Sequence, residues 1–114
     1  MAYIPEQGDI ILLQFDPQAG HEQRGRRPAF VASNNIFNQF TKMAIVCPIT
    51  NTNKGFPLHV PLDERTRTTG VIMCEQAKSL DILARKASLI EKAPQDIVKE
   101  VTDILMASIE GSEQ

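Results

Sequence analysis

The apolar residues of this 114-residue chain fall into many short runs, most of them too close together for helices to fit between them. Residues 10–15, 28–33, 42–49, 58–62, 70–74 and 87–90 have the composition of strands, and Gly, Pro or Asn flanks most of them. Successive parallel strands need a crossover of about a dozen residues or more, and most links here are shorter. The sequence therefore predicts a small, mostly antiparallel barrel or sandwich.

One amphipathic helix is predicted after the last strand. Pro94 suits the first helical position, Asp96 lies in the first turn, and Gly111 suits the stop. Apolar residues recur at helical spacing between these ends: Ile97, Val98, Val101, Ile104, Leu105 and Ile109. Residues 34–40 are compatible with one helical turn, and residues 81–84 with a short turn. We expect one domain over residues 1–114, mainly β with a C-terminal helix.

Composition limits the classes of function. No apolar run approaches the roughly 20 residues of a membrane helix, and the N-terminus lacks the pattern of a signal peptide, so we expect a cytoplasmic protein with no membrane partner. The two cysteines and two histidines are not grouped at metal-ligand spacing, and no metal or cofactor is expected. Cys47 and Cys74 lie in apolar strands and are predicted to be core, and no spacing supports a cysteine nucleophile paired with His59.

The charge of the chain is unevenly distributed. The net charge of −2 is unfavourable for a general nucleic-acid binder. Residues 1–60 hold five basic and four acidic residues, whereas residues 61–114 hold seven basic and ten acidic residues. The link between the first two strands concentrates guanidinium groups whose mutual repulsion a bound phosphate would offset. The basic residues suited to such a patch are Arg24, Arg26, Arg27, Lys54, Arg65 and Arg67. We therefore expect a small phosphate-binding patch on an otherwise acidic protein.

The same link carries a recognisable pattern, formed by Gly20, Glu22, Gln23, Gly25, Arg27 and Pro28. It resembles the signature loop of the MazF/PemK toxins of bacterial toxin–antitoxin modules. Residues 8–10, 48–50, 54–57 and 70–79 resemble further blocks of that family, so the resemblance covers nearly the whole chain from about Gly8. It implies an SH3-like barrel, a homodimer, and inhibition by a cognate antitoxin protein.

The resemblance also implies an activity, that of a sequence-specific, metal-independent endoribonuclease. Its substrate would be single-stranded RNA, whose splayed bases can be read on their edges. Cleavage through the substrate's own 2′-hydroxyl would leave a 2′,3′-cyclic phosphate and a 5′-hydroxyl.

Three residues are expected to be catalytic. Arg27 matches the family's catalytic arginine, and a fixed guanidinium would stabilise the charge that builds on phosphorus. Glu22 is either the general base for the 2′-hydroxyl or a partner that orients Arg27, and His21 is the alternative base. Thr50 matches the family's catalytic threonine, and its hydroxyl would hold the phosphate or relay a proton.

The other candidates are expected to contact RNA: His21, Gln23, Arg24, Arg26, Asn51, Thr52, Lys54, Glu75 and Gln76. Glu75 and Gln76 resemble the family's acidic-Gln pair after the fifth strand, and their side chains suit hydrogen bonds to base edges. Met73 stands where some relatives have a basic residue, so any role of that basic group is absent here.

Two other functions compete with the ribonuclease. One is a protein-binding toxin similar to the CcdB group, which poisons gyrase and is similar in fold and size. The other is an inactive binding module of the same fold. The CcdB group lacks the loop pattern that runs from Glu22 to Pro28, so this pattern favours the ribonuclease.

Overall fold

The computed structural model describes residues 3–15, 25–52 and 55–111. Within these ranges, seven strands and two α-helices follow one another along the chain. They are β1 (Asp9–Gln14), β2 (Arg26–Val31), α1 (Asn35–Thr41), β3 (Met43–Thr50), β4 (His59–Pro61), β5 (Val71–Met73), β6 (Lys78–Asp81), β7 (Ser88–Lys92) and α2 (Gln95–Ile109). A 3-10 turn, Cys74–Gln76, joins β5 to β6.

The strands form one antiparallel sheet in the order β4-β5-β3-β2-β1-β7, and β6 also pairs with β3. The eight residues of β3 are long enough to pair with β6 near one end and with β5 near the other. In a closed barrel the two edge strands would pair with each other. No pairing joins β4 to β7 among the described strands, so the sheet is open at this point. The predicted fold class, mainly β and antiparallel with a C-terminal helix, is confirmed.

The middle of the sheet is buried on both faces. One core cluster joins the sheet to α2 and includes Phe30, Ile72 and Val101. The cluster on the other face includes Leu13 and Val46. This double burial explains why β1 is a continuous apolar run rather than an alternating one. Neither helix in the described part of the chain is long and apolar enough to cross a bilayer.

Several element boundaries differ from prediction. β2 begins two residues before Pro28, because Arg26 and Arg27 pair with Gln14 and Leu13 of β1. The strand β6 was not predicted, since Leu80 is its one buried residue and gives too weak a pattern. The helix α2 begins one residue later than predicted, with Pro94 as its N-terminal cap. Residues 34–40, predicted to be compatible with one helical turn, largely coincide with the helix α1, which Asn34 caps by accepting a 2.9 Å hydrogen bond from the Phe37 N–H.

A buried carboxylate ties the two ends of the described chain together. Asp9 is 1% exposed and accepts hydrogen bonds from the Tyr3 hydroxyl at 2.5 Å and from Lys92 Nζ at 2.6 Å. Burial and then the hydrogen bond to Asp9 raise the pKa of Tyr3, so the phenol stays a donor. This contact joins the start of β1 to the end of β7, which also pair in the sheet.

Candidate functional site

The pairing of β2 with β3 brings two predicted catalytic residues towards each other. Ala29 pairs with Pro48, and the same antiparallel register continued for two residues sets Arg27 opposite Thr50. Residues that lie directly opposite in a sheet share a face. Pro28 and Pro48 have no N–H to donate, which limits further backbone hydrogen bonding between the two strands at this end.

The guanidinium of Arg27 is available for a ligand. Arg27 is exposed, and its side chain makes no hydrogen bond or ion pair with any of the described residues. Its neighbour Arg26 differs, because one of its terminal nitrogens donates a 3.3 Å hydrogen bond to the Lys86 carbonyl. An exposed cation without a protein partner is well suited to phosphate oxygens.

Arg65, a predicted member of the basic patch, is engaged elsewhere. Its terminal nitrogens lie 2.7 Å from the Asp63 carboxylate and 2.9 Å from the Asp96 carboxylate. Asp96 is in the first turn of α2. Arg65 therefore joins the 62–70 loop to that helix, and the two carboxylates offset the positive charge it was expected to offer to RNA.

A cavity of about 360 Å³ opens beside Thr50. It is lined by Thr50, Thr52, Phe56, His59, Met73, Glu75 and Gln76. The sheet register explains this grouping: Thr50 pairs with Val71, and Met73, two residues further along β5, pairs with His59 of β4. Alternate residues of a strand share a face, so the strand residues of the cavity all project from the side of the sheet that carries Thr50.

The backbone around Thr50 is held from two sides. Thr50 Oγ1 accepts a 3.1 Å hydrogen bond from the Thr52 N–H, and the Asn51 side-chain oxygen accepts one of 2.9 Å from the Thr69 hydroxyl. Gly70 packs directly against this segment. Its φ is +113°, and a Cβ atom there would lie 2.3 Å from the Thr50 carbonyl oxygen. Only glycine allows this approach.

His59 and Glu75 form a polar pair in the wall of the cavity. His59 Nε2 lies 3.1 Å from Glu75 Oε2, and the exposed fractions of the two side chains are 9% and 26%. The Phe56 ring packs against the imidazole at a centroid distance of 5.3 Å. His59 was not among the predicted site residues, because a single histidine in a strand points to a site only once the register of β4 with β5 is known.

The structure thus brings some of the predicted site residues together, and others lie outside the described residues. Thr50, Thr52, Glu75 and Gln76 line one cavity, Arg27 lies opposite Thr50 in the continued register, and Asn51 adjoins it. The predictions for His21, Glu22, Gln23, Arg24 and Lys54 fall outside the described residues.

The two cysteines are buried, as predicted. Ile49 pairs with Ile72, and the same register sets Cys47 opposite Cys74. The hydrogen bond with Cys74 and burial raise the pKa of the Cys47 thiol, and the same hydrogen bond lowers the pKa of Cys74. The described residues contain no cluster of three or more His, Cys, Asp or Glu side chains arranged for a metal ion.

The sequence of the chain matches a known protein family. Residues 6–109 match the family of PemK-like, MazF-like toxins of type II toxin–antitoxin systems. The chain belongs to this family.

Relatives within the PemK/MazF family are similar over most of their length. The endoribonuclease toxin ChpB of Escherichia coli K12 is 41% identical over 113 residues, which cover 92% of this chain and 94% of ChpB. Endoribonuclease PemK of Escherichia coli is 39% identical over 100 residues, covering 84% of this chain and 75% of PemK.

Solved structures of the PemK/MazF family agree with the fold described above. MazF from Deinococcus radiodurans superposes with a TM-score of 0.83 at 39% identity, covering 95% of this chain and 98% of that one. A MazE–MazF complex from the same organism gives 0.83 at 33% identity and covers 97% and 100%. The match to the PemK/MazF family favours the ribonuclease over the CcdB-like alternative.

Proposed function

We propose that the protein is the toxin of a type II toxin–antitoxin module and acts as a sequence-specific endoribonuclease on single-stranded RNA. Relatives named as endoribonucleases support the reaction class. The observation that carries the proposal is the β2–β3 register, which if continued sets Arg27, whose side chain has no partner among the described residues, opposite Thr50; Thr50 lines a cavity together with Glu75 and Gln76.

The proposed reaction is an internal phosphoryl transfer. The 2′-oxygen of the RNA forms a bond to phosphorus, the bond from phosphorus to the 5′-oxygen breaks, and a 2′,3′-cyclic phosphate and a 5′-hydroxyl result. One proton leaves the 2′-hydroxyl and one reaches the departing 5′-oxygen, so the balance needs no water, metal or redox partner. The Arg27 guanidinium stabilises the extra negative charge on the phosphoryl oxygens as the transition state forms.

Thr50 is proposed to donate its hydroxyl proton. Its oxygen already accepts a hydrogen bond from the Thr52 N–H, so the hydroxyl hydrogen is left to point at a phosphoryl oxygen or at the leaving 5′-oxygen. Glu22 and His21 are the two candidates for the base that takes the 2′-hydroxyl proton, and Glu22 has orientation of Arg27 as its alternative role.

Recognition of the RNA is assigned to groups around the cavity. Thr52, Glu75 and Gln76 line it and offer both donors and acceptors to base edges. Asn51, fixed by Thr69, adjoins them. Arg24, Arg26 and Lys54, together with His21 and Gln23, are proposed to contact the backbone and flanking bases.

The proposed partners are a second copy of the chain and an antitoxin. Four large apolar side chains on the two helices are strongly exposed: Ile36, Phe40, Met106 and Ile109. An apolar groove of about 330 Å³ lies between the helices, with Phe37, Leu105 and Met106 in its wall. A homodimer through this face would cover the exposed apolar side chains and the groove.

The second proposed partner is an acidic antitoxin segment, which would compete with RNA for Arg27 and its neighbours.

The experiment that tests the proposal is RNA cleavage by purified protein in excess EDTA. We expect cleavage to continue, and we expect a substrate with one deoxyribose at the scissile nucleotide to bind without being cut. Cleavage of that substrate at the normal rate would contradict the cyclic-phosphate mechanism. Loss of activity in EDTA, restored by added metal, would contradict metal independence.

A further inference from the structure

The imidazole of His59 is fixed in one orientation. Its side chain is nine-tenths buried in the wall of the cavity, and Nε2 lies 3.1 Å from Glu75 Oε2. Nδ1 is buried and has no hydrogen-bond partner among the described residues. In the neutral ring the proton therefore lies on Nε2, where it is donated to the carboxylate.

Packing holds this ring in place. Phe56 lies against it at 5.3 Å between centroids with the planes tilted by 56°, an arrangement typical of paired aromatic rings. On the neighbouring strand, Met73 pairs with His59 in the β4–β5 register. The donor at Nε2 is consequently fixed before any ligand arrives.

Glu75 gains a defined position from this donor. It lies in the exposed 3-10 turn after β5, where a glutamate without a partner would sample several rotamers. The hydrogen bond from His59 engages Oε2, and no donor among the described residues reaches Oε1. One carboxylate oxygen thus remains available to a ligand in the cavity that Thr50 also lines.

An ionised carboxylate oxygen accepts hydrogen bonds and donates none, which limits the bases it suits. Adenine, cytosine and guanine each present an amino group on an edge that an unpaired base exposes. Uracil presents its one N–H between two carbonyl oxygens, which a carboxylate repels. A fixed acceptor therefore favours an amino-bearing base over uracil.

We propose that His59 is a positioning residue that acts through Glu75. By fixing the Glu75 carboxylate, it makes that group the acceptor for the amino group of one nucleobase and so sets the base preference at one position of the cleavage site. This inference rests on the proposed ribonuclease function.

The test uses RNA oligonucleotides of randomised sequence and sequencing of the cleaved ends. Wild type is compared with His59→Gln, which keeps an N–H donor, and with His59→Leu, which does not. We expect one position at which wild type and His59→Gln disfavour uracil, and a loss of about tenfold in this discrimination for His59→Leu, with other positions unchanged. In a Glu75→Ala background, His59→Leu should cause no further change in base preference.

Two results would overturn the proposal: a folded His59→Leu protein with the wild-type preference at every position, or an equal effect of His59→Leu with and without Glu75. Thermal unfolding checks the fold. If His59→Leu fails to fold, His59→Asn takes its place, because its shorter amide does not reach Glu75. A wild-type protein that cuts no RNA in the library would contradict the proposed function itself, which distinguishes the two failures.

Discussion

Arg27 is exposed and makes no ion pair with any described residue, so its loss should affect chemistry more than folding. We predict that Arg27→Ala reduces the rate of RNA cleavage by about a hundredfold or more, as removal of one charge-stabilising donor does in other enzymes. The free energy of unfolding should stay within about 0.5 kcal/mol of the wild-type value, the usual range for surface substitutions.

Lys99→Ala is the matched control for Arg27→Ala, since it removes one exposed cation from α2, where it pairs with Asp103. Cleavage rates measured side by side under single-turnover conditions should fall only for Arg27→Ala. A folded Arg27→Ala protein that cuts at the wild-type rate would show that the phosphate is met by another group.

Gly70 packs closely against the backbone of Thr50. A side chain there would place Cβ 2.3 Å from the Thr50 carbonyl oxygen, whereas a Cβ built at Gly55, which also has a positive φ, would meet no described atom within 4 Å. We predict that Gly70→Ala costs about 1–3 kcal/mol more stability than Gly55→Ala, the usual penalty for overpacking. Urea unfolding of both variants measures the difference, and equal losses would mean that the clash is relieved without cost.

At the residue scale, the sequence alone identified Arg27 and Thr50 as partners only through resemblance to a family. Their alignment on opposite strands follows from the continued β2–β3 register, which no local pattern specifies. His59 was missed for the same reason, because its link to Glu75 requires β4 to pair with β5 in one particular register.

At the scale of elements, the 62–70 loop is held by carboxylates. Glu91 of β7 accepts hydrogen bonds from the N–H of Arg67 and from the N–H and hydroxyl of Thr68. Burial alone would raise the pKa of Glu91, but these hydrogen bonds lower it overall. The Arg65 side chain likewise lowers the pKa of Asp63 from 3.8 to about 2.

A carboxylate whose pKa is lower in the folded state contributes stability above its unfolded pKa and loses it as the pH falls through the folded pKa. The free energy of unfolding should therefore decrease from about pH 5 to about pH 2, and less steeply in Glu91→Gln than in wild type. Urea titrations across this interval measure the slope. Glu64→Gln, in the same loop, is the control, and an identical slope in Glu91→Gln and wild type would exclude the contribution of Glu91.

Elements with a strong local signal were predictable, and those without one were not. The run at β1 and the apolar stripe of α2, with Ile97, Val98 and Val101 buried, were read directly from spacing. The strand β6 contains one buried residue and is held by its pairing with β3, which is information from outside the segment. Closure of the predicted barrel also depends on long-range geometry, and among the described strands β4 and β7 do not pair with each other.

At the scale of the molecule, the predicted homodimer can be assigned to particular residues. Ile97, Val98, Val101 and Val71 are apolar but buried within the chain, so they are not available to a dimer contact. Phe40 and Ile109 remain 84% and 81% exposed. We predict that wild type sediments as a dimer at micromolar concentration and that Phe40→Asp with Ile109→Asp shifts it to monomer, because two buried charges would oppose association.

Lys99→Asp, also on α2 and exposed, is the control for the charge substitutions and should leave the dimer intact. A dimer in the double variant would place the interface elsewhere on the surface. A wild-type monomer with full ribonuclease activity would refute the dimer.

The pairing of β1 with β7 has a consequence for synthesis. Asp9 and Lys92 are 83 residues apart in the chain, so β1 receives its outer neighbour only after all the other described strands have been made. Contacts of such long sequence separation form late and slowly. A ribosome must therefore translate the chain through β7 before β1 can gain this neighbour, so this edge of the sheet of the proposed nuclease is completed only after the residues of its candidate site have been synthesised.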